Sequence, residues 1–178
     1  MITAHVFIAT SLDGFIARQD GDIDWLLSRD NPNEDHGYND FIKDIDVILM
    51  GRNSYEKVLT LGPWGYTKPV IVLSKTLAGK PVPKELEGRV RFMIQSPKEI
   101  MASLSKEGIK RVYVDGGQMI QSFLRDQLID DMVITQVPVL IGTGRSLFGE
   151  VNGDISLSHV STKAFPSGLV QSHYRVNK

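Results

Sequence analysis

The segment 112–124, VYVDGGQMIQSFL, constrains the fold of this chain most, because it joins a buried strand to a helix through two glycines. Residues 112–114 have the apolar and aromatic composition of a short strand. After Gly116 and Gly117, the apolar residues Met119, Ile120, Phe123 and Leu124 recur at helical spacing. The first N–H groups of such a helix are unpaired and lie at the positive end of its dipole, which suits a phosphate. The segment therefore predicts a strand, a turn open to an anion, and a helix.

The rest of the chain repeats this alternation and then changes. Strands are predicted at 2–10, 46–50, 69–73 and 90–94, and a capping box from Ser96 to Glu99 with Pro97 at the first helical position begins the helix after 90–94. Three more strands, 132–140, 155–162 and 169–176, follow with no helix between them. This order predicts a three-layer α/β fold with a mainly parallel sheet and antiparallel C-terminal edge strands. We expect one domain over residues 1–178.

Composition excludes several classes of protein. A net charge of −1 gives no reason to expect nucleic acid or a membrane surface as a partner. The chain has no cysteine, and its four histidines lack metal-ligand spacing, so we expect no disulfide and no metal site. The apolar start, residues 2–9, is only as long as a strand and lacks a basic leader. We therefore expect a cytoplasmic protein.

Phosphate-binding residue types follow three of the predicted strands. These residues are Gly51, Arg52, Asn53 and Ser54; Ser74 and Lys75; and Gly116 and Gly117. The carboxyl ends of parallel strands meet at one edge of a sheet, so the three sites suit an elongated ligand with several phosphates. Two sites bring a cation, which favours NADP over NAD. The GxGxxG pattern is absent after the first strand, so an ordinary Rossmann dehydrogenase is not expected.

A helix is predicted after residues 31–33, which supply capping residues. Its apolar face comprises Tyr38, Phe41, Ile42 and Ile45, and Asp35 lies one turn earlier, where we expect it to head that buried face. The helix dipole also favours acids in a first turn, so a plain explanation of Glu34 and Asp35 stays open. The loop before this helix, anchored by Trp25, is either a lid or a plain surface connection.

Four segments occur in an order and at spacings that resemble the dihydrofolate reductase fold family: SLDGFIA, VILMGRNSYE, VIVLSK and VYVDGGQMIQSFL. The chain is more closely similar to the reductase domain of the bifunctional riboflavin-biosynthesis deaminase/reductase, the RibD C-terminal type. The match spans nearly the whole chain. It implies an NADPH-dependent reductase that acts on a pterin-, pyrimidine- or related heterocyclic substrate, like 5-amino-6-(5-phosphoribosylamino)uracil reductase. It also implies a homodimer.

The resemblance carries over to individual positions of this chain. Ala9 and Ile16 would contact the nicotinamide amide, and Trp25 and Tyr38 would lie at the substrate or lid. Asp35 would be the buried proton donor, hydrogen-bonded to Thr135, with Glu34, Asp40 and Asp24 as rivals. The remaining cofactor contacts implied are Gly51, Arg52, Asn53 and Ser54 at the phosphates, Leu73, Ser74 and Lys75 at the adenosine, and Gly116, Gly117, Gln118 and Met119 at the pyrophosphate.

Two departures from the family bear on the substrate. Folate reductases hold the glutamate tail with a basic residue before the third strand, where this chain has Lys68, and a lysine is not a bidentate clamp. A zinc deaminase needs Cys and His ligands, and the chain has no cysteine, so any role in riboflavin biosynthesis is expected to be that of a stand-alone reductase. The alternatives are true folate reduction, which the missing clamp disfavours, and a nucleotide-binding sensor without turnover.

Overall fold

A computed structural model describes residues 1–29 and 31–178, and its main feature is an eight-stranded sheet in the order β5-β4-β3-β6-β1-β7-β10-β9. The strands from β5 to β7 in this order are parallel, and β10 is antiparallel to both β7 and β9. The mainly parallel sheet with an antiparallel C-terminal edge is thus confirmed. The strands are β1 Thr3–Ser11, β2 Phe15–Ala17, β3 Val47–Gly51, β4 Val70–Leu73, β5 Val90–Met93, β6 Arg111–Asp115, β7 Asp131–Val137, β8 Arg145–Ser146, β9 Leu157–Ala164 and β10 Val170–Val176. The helices are α1 Asp24–Leu27, α2 Tyr38–Lys43, α3 Arg52–Thr60, α4 Pro97–Lys106 and α5 Gly117–Arg125, with a 3-10 turn at Lys84–Leu86.

Both faces of the central strands are buried, which makes the fold three-layered. In β3, Val47 and Leu49 point into one core cluster, where α4 and α5 pack. The alternate residues Ile48 and Met50 point into a second cluster, where α2 and α3 pack. This alternation explains why the strand is apolar at every position, as strands covered on both sides are.

The capping box predicted from Ser96 to Glu99 is confirmed. Ser96 Oγ accepts a hydrogen bond from the Glu99 N–H (3.4 Å), and Glu99 Oε2 accepts one from the Ser96 N–H (2.8 Å), which completes the capping box at the start of α4.

The two-residue strand β8 was not predicted. It pairs with β2, where Gly144 lies so close to the Ala17 carbonyl that a side chain at residue 144 would collide with it.

The predicted start of the helix at 31–33 is wrong. The helix α2 begins at Tyr38 behind Gly37, whose φ is +81°, and Asp35 lies exposed in the preceding turn. Asp35 Oδ1 accepts a hydrogen bond from the Gly37 N–H (2.8 Å). The neighbouring acid Glu34 points inward instead, where it accepts hydrogen bonds from the Ser167 N–H (2.8 Å) and from His36 Nε2 (3.1 Å). The predicted burial of Asp35 is therefore also wrong.

Substitution of Glu34 by Gln should lower the melting temperature at pH 7 and flatten its pH dependence below pH 5. Hydrogen bonds from Ser167 hold the pKa of Glu34 below its usual value. A lowered pKa means that the stabilisation is present above the unfolded-state pKa of about 4.3 and is lost as the pH falls through the folded-state pKa. Thermal unfolding between pH 3 and pH 7 measures this effect. Asp35→Asn removes the same charge from an exposed position, and a profile that changes equally in both variants would contradict the assignment.

Candidate functional site

A cleft of about 760 Å³ lies at the carboxyl edge of the sheet where β1, β3 and β6 end. β3 and β6 are parallel neighbours, but α3, which follows β3, packs on one face of the sheet and α5, which follows β6, packs on the other. The two connections therefore diverge and leave a crevice between the starts of the two helices, which is where α/β sheets bind ligands. A second cleft of about 410 Å³ continues from the first and shares Gly51, Asn53, Gln118 and Met119 with it.

The helix starts at this crevice carry no side-chain caps. Gly51 precedes α3 and Gly116 precedes α5, and neither offers a side chain to the free N–H groups of the first turn. The helix α4, which begins elsewhere, has its capping box. The uncapped N–H groups together with the helix dipoles favour an anion in the cleft.

The three glycines at the helix starts serve different purposes. A Cβ at Gly51 would meet no atom within 4 Å, so the open space beside this backbone belongs to the cleft. Gly116 has φ +91°, and a Cβ there would collide with Ser54 Oγ. A Cβ at Gly117 would lie 2.8 Å from Ile16 Cδ1 and 2.9 Å from the Ser146 carbonyl oxygen. The glycine pair thus lets α5 begin in contact with α3, β2 and β8, while Gly51 leaves room for a ligand.

Most residues expected at the cofactor line these clefts. The larger cleft is lined by Ala9, Ile16, Gly51, Asn53, Ser54, Gly116, Gly117, Gln118 and Met119, and the smaller one adds Arg52 and Leu73. Arg52 Nη1 donates a hydrogen bond to Thr76 Oγ1 (3.2 Å). Ser74 and Lys75 line neither cleft: Ser74 Oγ accepts hydrogen bonds from the N–H groups of the following turn, and Lys75 is exposed.

The residues expected at the substrate are less well placed. Trp25 is buried against Val137, Phe165 and Leu169 and does not line the cleft. Tyr38 packs edge-on against Phe7 at 5.7 Å behind the cleft wall, and burial raises the pKa of its phenol to about 12.

The expected pairing of Asp35 with Thr135 is wrong. Thr135 is buried, and its Oγ1 accepts a hydrogen bond from Gln171 Nε2 (2.9 Å). The Asp35 carboxylate accepts a hydrogen bond from the Gly37 N–H (2.8 Å) instead, and the inward-pointing acid of this turn is Glu34.

The loop between β1 and α1 covers the cleft from one side, and polar contacts fix it there. Lys57 Nζ on α3 lies 3.1 Å from Asp22 Oδ1, and Arg145 Nε donates a hydrogen bond to the Gln19 carbonyl (3.2 Å). The Asp13 carboxylate accepts a hydrogen bond from the Gly142 N–H (2.8 Å) across the β2–β8 pair. Both cations line the cleft, so the groups that hold the loop are also within reach of a bound ligand.

Asp115 is the only carboxylic acid among the described residues that line the cleft, and sequence reasoning missed it. It ends β6 directly before the glycine pair, and Tyr66 donates a hydrogen bond to its Oδ2 (3.2 Å). Burial raises the pKa of Asp115, although hydrogen bonds from the surrounding groups oppose this effect. The sequence pattern that could have identified Asp115 is an acidic residue placed between a buried strand and a glycine turn. This placement is typical of a proton donor or of a group that orients a ligand.

No group of three or more His, Cys, Asp or Glu side chains within 1–29 and 31–178 is arranged to hold a metal ion. In the same part of the chain, no helix has the length and apolar character needed to cross a membrane.

The mainly parallel sheet with its antiparallel C-terminal edge has a dihydrofolate reductase-like fold. Dihydrofolate reductase from Enterococcus faecalis, solved in complex with NADP(H) and RAB-propyl, superposes with a TM-score of 0.69 at 16% identity, over 99% of this chain and 97% of that chain. The chain belongs to the RibD C-terminal domain family, whose model matches residues 3–171. The resemblance stated from the sequence motifs is thus confirmed.

Two further solved structures agree with this family. A protein from Shewanella sp. PV-4 that has been provisionally assigned to riboflavin biosynthesis is 40% identical, with a TM-score of 0.92 over 99% of this chain and 100% of that chain. The diaminohydroxyphosphoribosylaminopyrimidine deaminase/5-amino-6-(5-phosphoribosylamino)uracil reductase of Thermotoga maritima is 18% identical, with a TM-score of 0.73. That superposition covers 99% of this chain and 57% of the Thermotoga chain.

Proposed function

We propose that this protein is an NADPH-dependent reductase that transfers a hydride to a pterin-, pyrimidine- or related heterocyclic substrate. The observation that carries the proposal is the cleft itself, in which two uncapped helix starts and a half-buried acid face the same space. The helix starts suit the phosphates of a dinucleotide, and the acid suits a heterocycle that must be protonated as it is reduced. The family, together with the reductases that share the fold, supports the same reading.

The chain's own residues fit the cofactor. Open space beside Gly51 allows a phosphate to approach the first N–H groups of α3. Gln118 and Met119, at the start of α5, line the same region and the adjoining cleft. Arg52 lines the adjoining cleft, where a 2′-phosphate would meet its guanidinium. Ala9 and Ile16, deeper in the larger cleft, would flank the nicotinamide.

When bound, NADPH supplies a hydride from C4 of the nicotinamide to the carbon of a C=N or C=O bond. Asp115 then gives its proton to the nitrogen or oxygen of the same bond, and the carboxylate regains a proton from water. Its raised pKa keeps a larger fraction of the acid protonated near neutral pH, as this step requires. The loop held by Lys57 and Arg145 excludes water from the cleft.

Folate is the less favoured substrate. Lys68 Nζ donates a hydrogen bond to the Lys43 carbonyl (2.9 Å), and Lys68 does not line the cleft. The residue that would correspond to a glutamate clamp therefore holds the end of α2 to the loop before β4.

The proposal is tested by titrating the protein with NADPH and NADH and following the melting temperature, which a ligand raises by mass action. We expect micromolar binding of NADPH and weak binding of NADH. A panel of dihydropterins and aminopyrimidinones then tests turnover by NADPH consumption. Binding without consumption across the panel would favour a sensor, and no binding of either nucleotide would contradict the proposal.

Substitution of Arg52 by Gln should weaken NADPH binding about tenfold and leave NADH binding within about twofold, because only NADPH carries the 2′-phosphate. A tenfold change corresponds to ~1.4 kcal/mol, which is the size of one charge-assisted hydrogen bond. Lys75→Gln is the matched control, since it removes one positive charge next to the cleft without lining it. Equal weakening of both nucleotides in Arg52→Gln would contradict the 2′-phosphate assignment.

A further inference from the structure

Tyr66 and Asp115 meet in the larger cleft from distant parts of the chain. Tyr66 lies in the loop between α3 and β4, and Asp115 ends β6. The Tyr66 hydroxyl donates a hydrogen bond to Asp115 Oδ2 (3.2 Å), and both residues line the cleft. The acid of the cleft is therefore in contact with a phenol that belongs to a different element of the fold.

The position of Tyr66 is fixed by contacts within the protein. Arg89 Nη2 donates a hydrogen bond to the Tyr66 carbonyl (2.9 Å). The Tyr66 ring packs edge-on against Trp64, with 5.3 Å between the ring centroids. Trp64 in turn packs edge-on against Tyr55 of α3 at 6.1 Å, and Tyr55 is buried. The loop thus presents the Tyr66 hydroxyl from a packed aromatic cluster before any ligand binds.

An aspartate side chain at the end of a strand needs such a contact to have one orientation. The bond that sets the direction of its two oxygens has only a broad rotational preference of its own. A hydrogen bond to one oxygen restricts this rotation. Because Tyr66 engages Oδ2, the other oxygen of Asp115, Oδ1, is left for a ligand. The distance from that oxygen to a reacting atom decides whether a proton can be transferred.

The other groups near Asp115 do not replace this contact. Burial raises the pKa of Asp115, and the hydrogen bond from Tyr66 opposes this effect. Tyr113, on the same strand, donates its hydroxyl proton to the Phe7 carbonyl (2.8 Å). Burial raises the pKa of Tyr38 and of Tyr113, so both phenols are neutral near pH 7.

The two cations that line the cleft also have partners of their own. Lys57 lies 3.1 Å from Asp22 Oδ1, and Arg145 donates a hydrogen bond to the Gln19 carbonyl. Neither cation is among the groups that act on the pKa of Asp115.

We infer that Tyr66 is a positioning residue that orients the Asp115 carboxyl group, with Oδ2 engaged by the phenol and Oδ1 available to a ligand in the cleft. The role of this orientation in turnover rests on the proposed function. The orientation itself is a property of the free protein and can be measured without a substrate.

The first test follows the Asp115 carboxyl carbon by NMR in free protein labelled with ¹³C-aspartate, with the signal assigned by its loss in Asp115→Asn. Tyr66→Phe removes a donor that favours the charged form, so the titration midpoint should rise by about one pH unit, the size of one hydrogen bond. The couplings between the α- and β-hydrogens of Asp115 should indicate one rotamer in wild type and an average over rotamers in Tyr66→Phe.

The matched control is Tyr55→Phe, which removes a phenol hydroxyl from the same aromatic cluster. Tyr55 neither lines the cleft nor acts on the pKa of Asp115, so the midpoint and the couplings should stay as in wild type. Unchanged midpoint and couplings in Tyr66→Phe would overturn the inference. Equal changes in Tyr55→Phe would overturn it as well, because they would reflect the loss of any hydroxyl from the cluster.

Should Tyr66→Phe fail to fold, the wild-type protein decides the question. The phenol carbon of Tyr66 is assigned in ¹³C-tyrosine protein by its shift in Asp115→Asn. It should titrate with the midpoint of the Asp115 carboxyl carbon, because the two groups share a hydrogen bond. A phenol signal without this titration would refute the contact.

The second test uses a substrate that is turned over, and it separates positioning from a structural role. Tyr66→Phe should lower the low-pH plateau of kcat about tenfold, because a misplaced donor oxygen transfers its proton less well. The basic limb of the pH profile should move up in pH with the NMR midpoint. The Kd of NADPH should stay within about twofold, since Tyr66 lies at neither helix start. A lower melting temperature with an unchanged plateau and limb would reduce Tyr66 to a structural role.

The proposed function can fail separately from this orientation. NMR changes as expected, together with no oxidation of NADPH by any heterocycle in wild type, would confirm the orientation of Asp115 and contradict the reductase.

Discussion

Substitution of Asp115 by Asn is expected to lower kcat about 100-fold or more while leaving the Kd of NADPH within about twofold, because an acid that donates a proton in the transition state contributes about 10²–10⁴-fold. The amide keeps the shape of the side chain and a hydrogen bond with Tyr66, so the cleft should remain intact. Steady-state oxidation of NADPH with a reducible heterocycle measures the first quantity, and nucleotide titration measures the second.

The matched control is Asp35→Asn, which makes the same chemical change at the acid that the resemblance to folate reductases implied. Because Asp35 is exposed and outside the cleft, we expect its turnover to stay within about twofold of wild type. The pH profile adds a second criterion. The pKa of Asp115 is raised, so activity should be fully present at low pH and lost as the pH rises through that pKa. Full activity in Asp115→Asn, or a large loss in Asp35→Asn, would reverse the assignment.

Replacement of Gly116 by Ala is expected to destabilise the protein by about 2–3 kcal/mol and to abolish detectable NADPH binding. Gly116 has φ +91° and ψ 140°, a backbone conformation that residues with a side chain rarely adopt, and its Cβ would collide with Ser54 Oγ. Since both Gly116 and Ser54 line the larger cleft, relief of the collision should displace the start of α5 or α3. A loss of this size corresponds to roughly 4–12 °C in melting temperature for a chain of this length.

Two variants separate the backbone effect from the collision. Gly108→Ala has a similar φ of +85° but open space at the Cβ position, so only the strain of about 1 kcal/mol is expected there. The double variant Gly116→Ala/Ser54→Ala removes the atom that would be struck and should recover part of the melting temperature. If Gly116→Ala and Gly108→Ala cost the same, close packing of the two helix starts is not what requires a glycine at residue 116.

The fold could be read from the sequence where neighbours along the chain carry the information. The capping box at Ser96 needs only residues three apart, and the glycine turn before α5 needs only its own backbone. The strand β3 has apolar residues at every position, which predicts burial on both faces. The three strands that are followed by phosphate-binding residue types were expected to end at one edge of the sheet. These strands, β4, β3 and β6, are adjacent and parallel.

Neighbouring residues along the chain could not show which acid points inward, because the orientation of a side chain in a loop depends on partners that are distant in the sequence. Glu34 and Asp35 are adjacent and chemically alike. Ser167, from the turn between β9 and β10, holds Glu34 inward and leaves Asp35 in solvent. Trp25 likewise meets Val137 and Phe165, which no local pattern connects to it, and therefore anchors the loop rather than covering the cleft.

By itself, the sequence determined the layers of the fold, the parallel sheet and the glycine turns at which a dinucleotide is expected, because hydrophobic periodicity and backbone freedom are local properties. Tertiary structure alone decided which acid faces the cleft. Asp115 acquires its raised pKa from burial, and Tyr66 donates a hydrogen bond to its carboxyl group from the loop before β4. Desolvation and hydrogen bonding depend on the spatial arrangement of all surrounding groups, which forms only when the chain is folded.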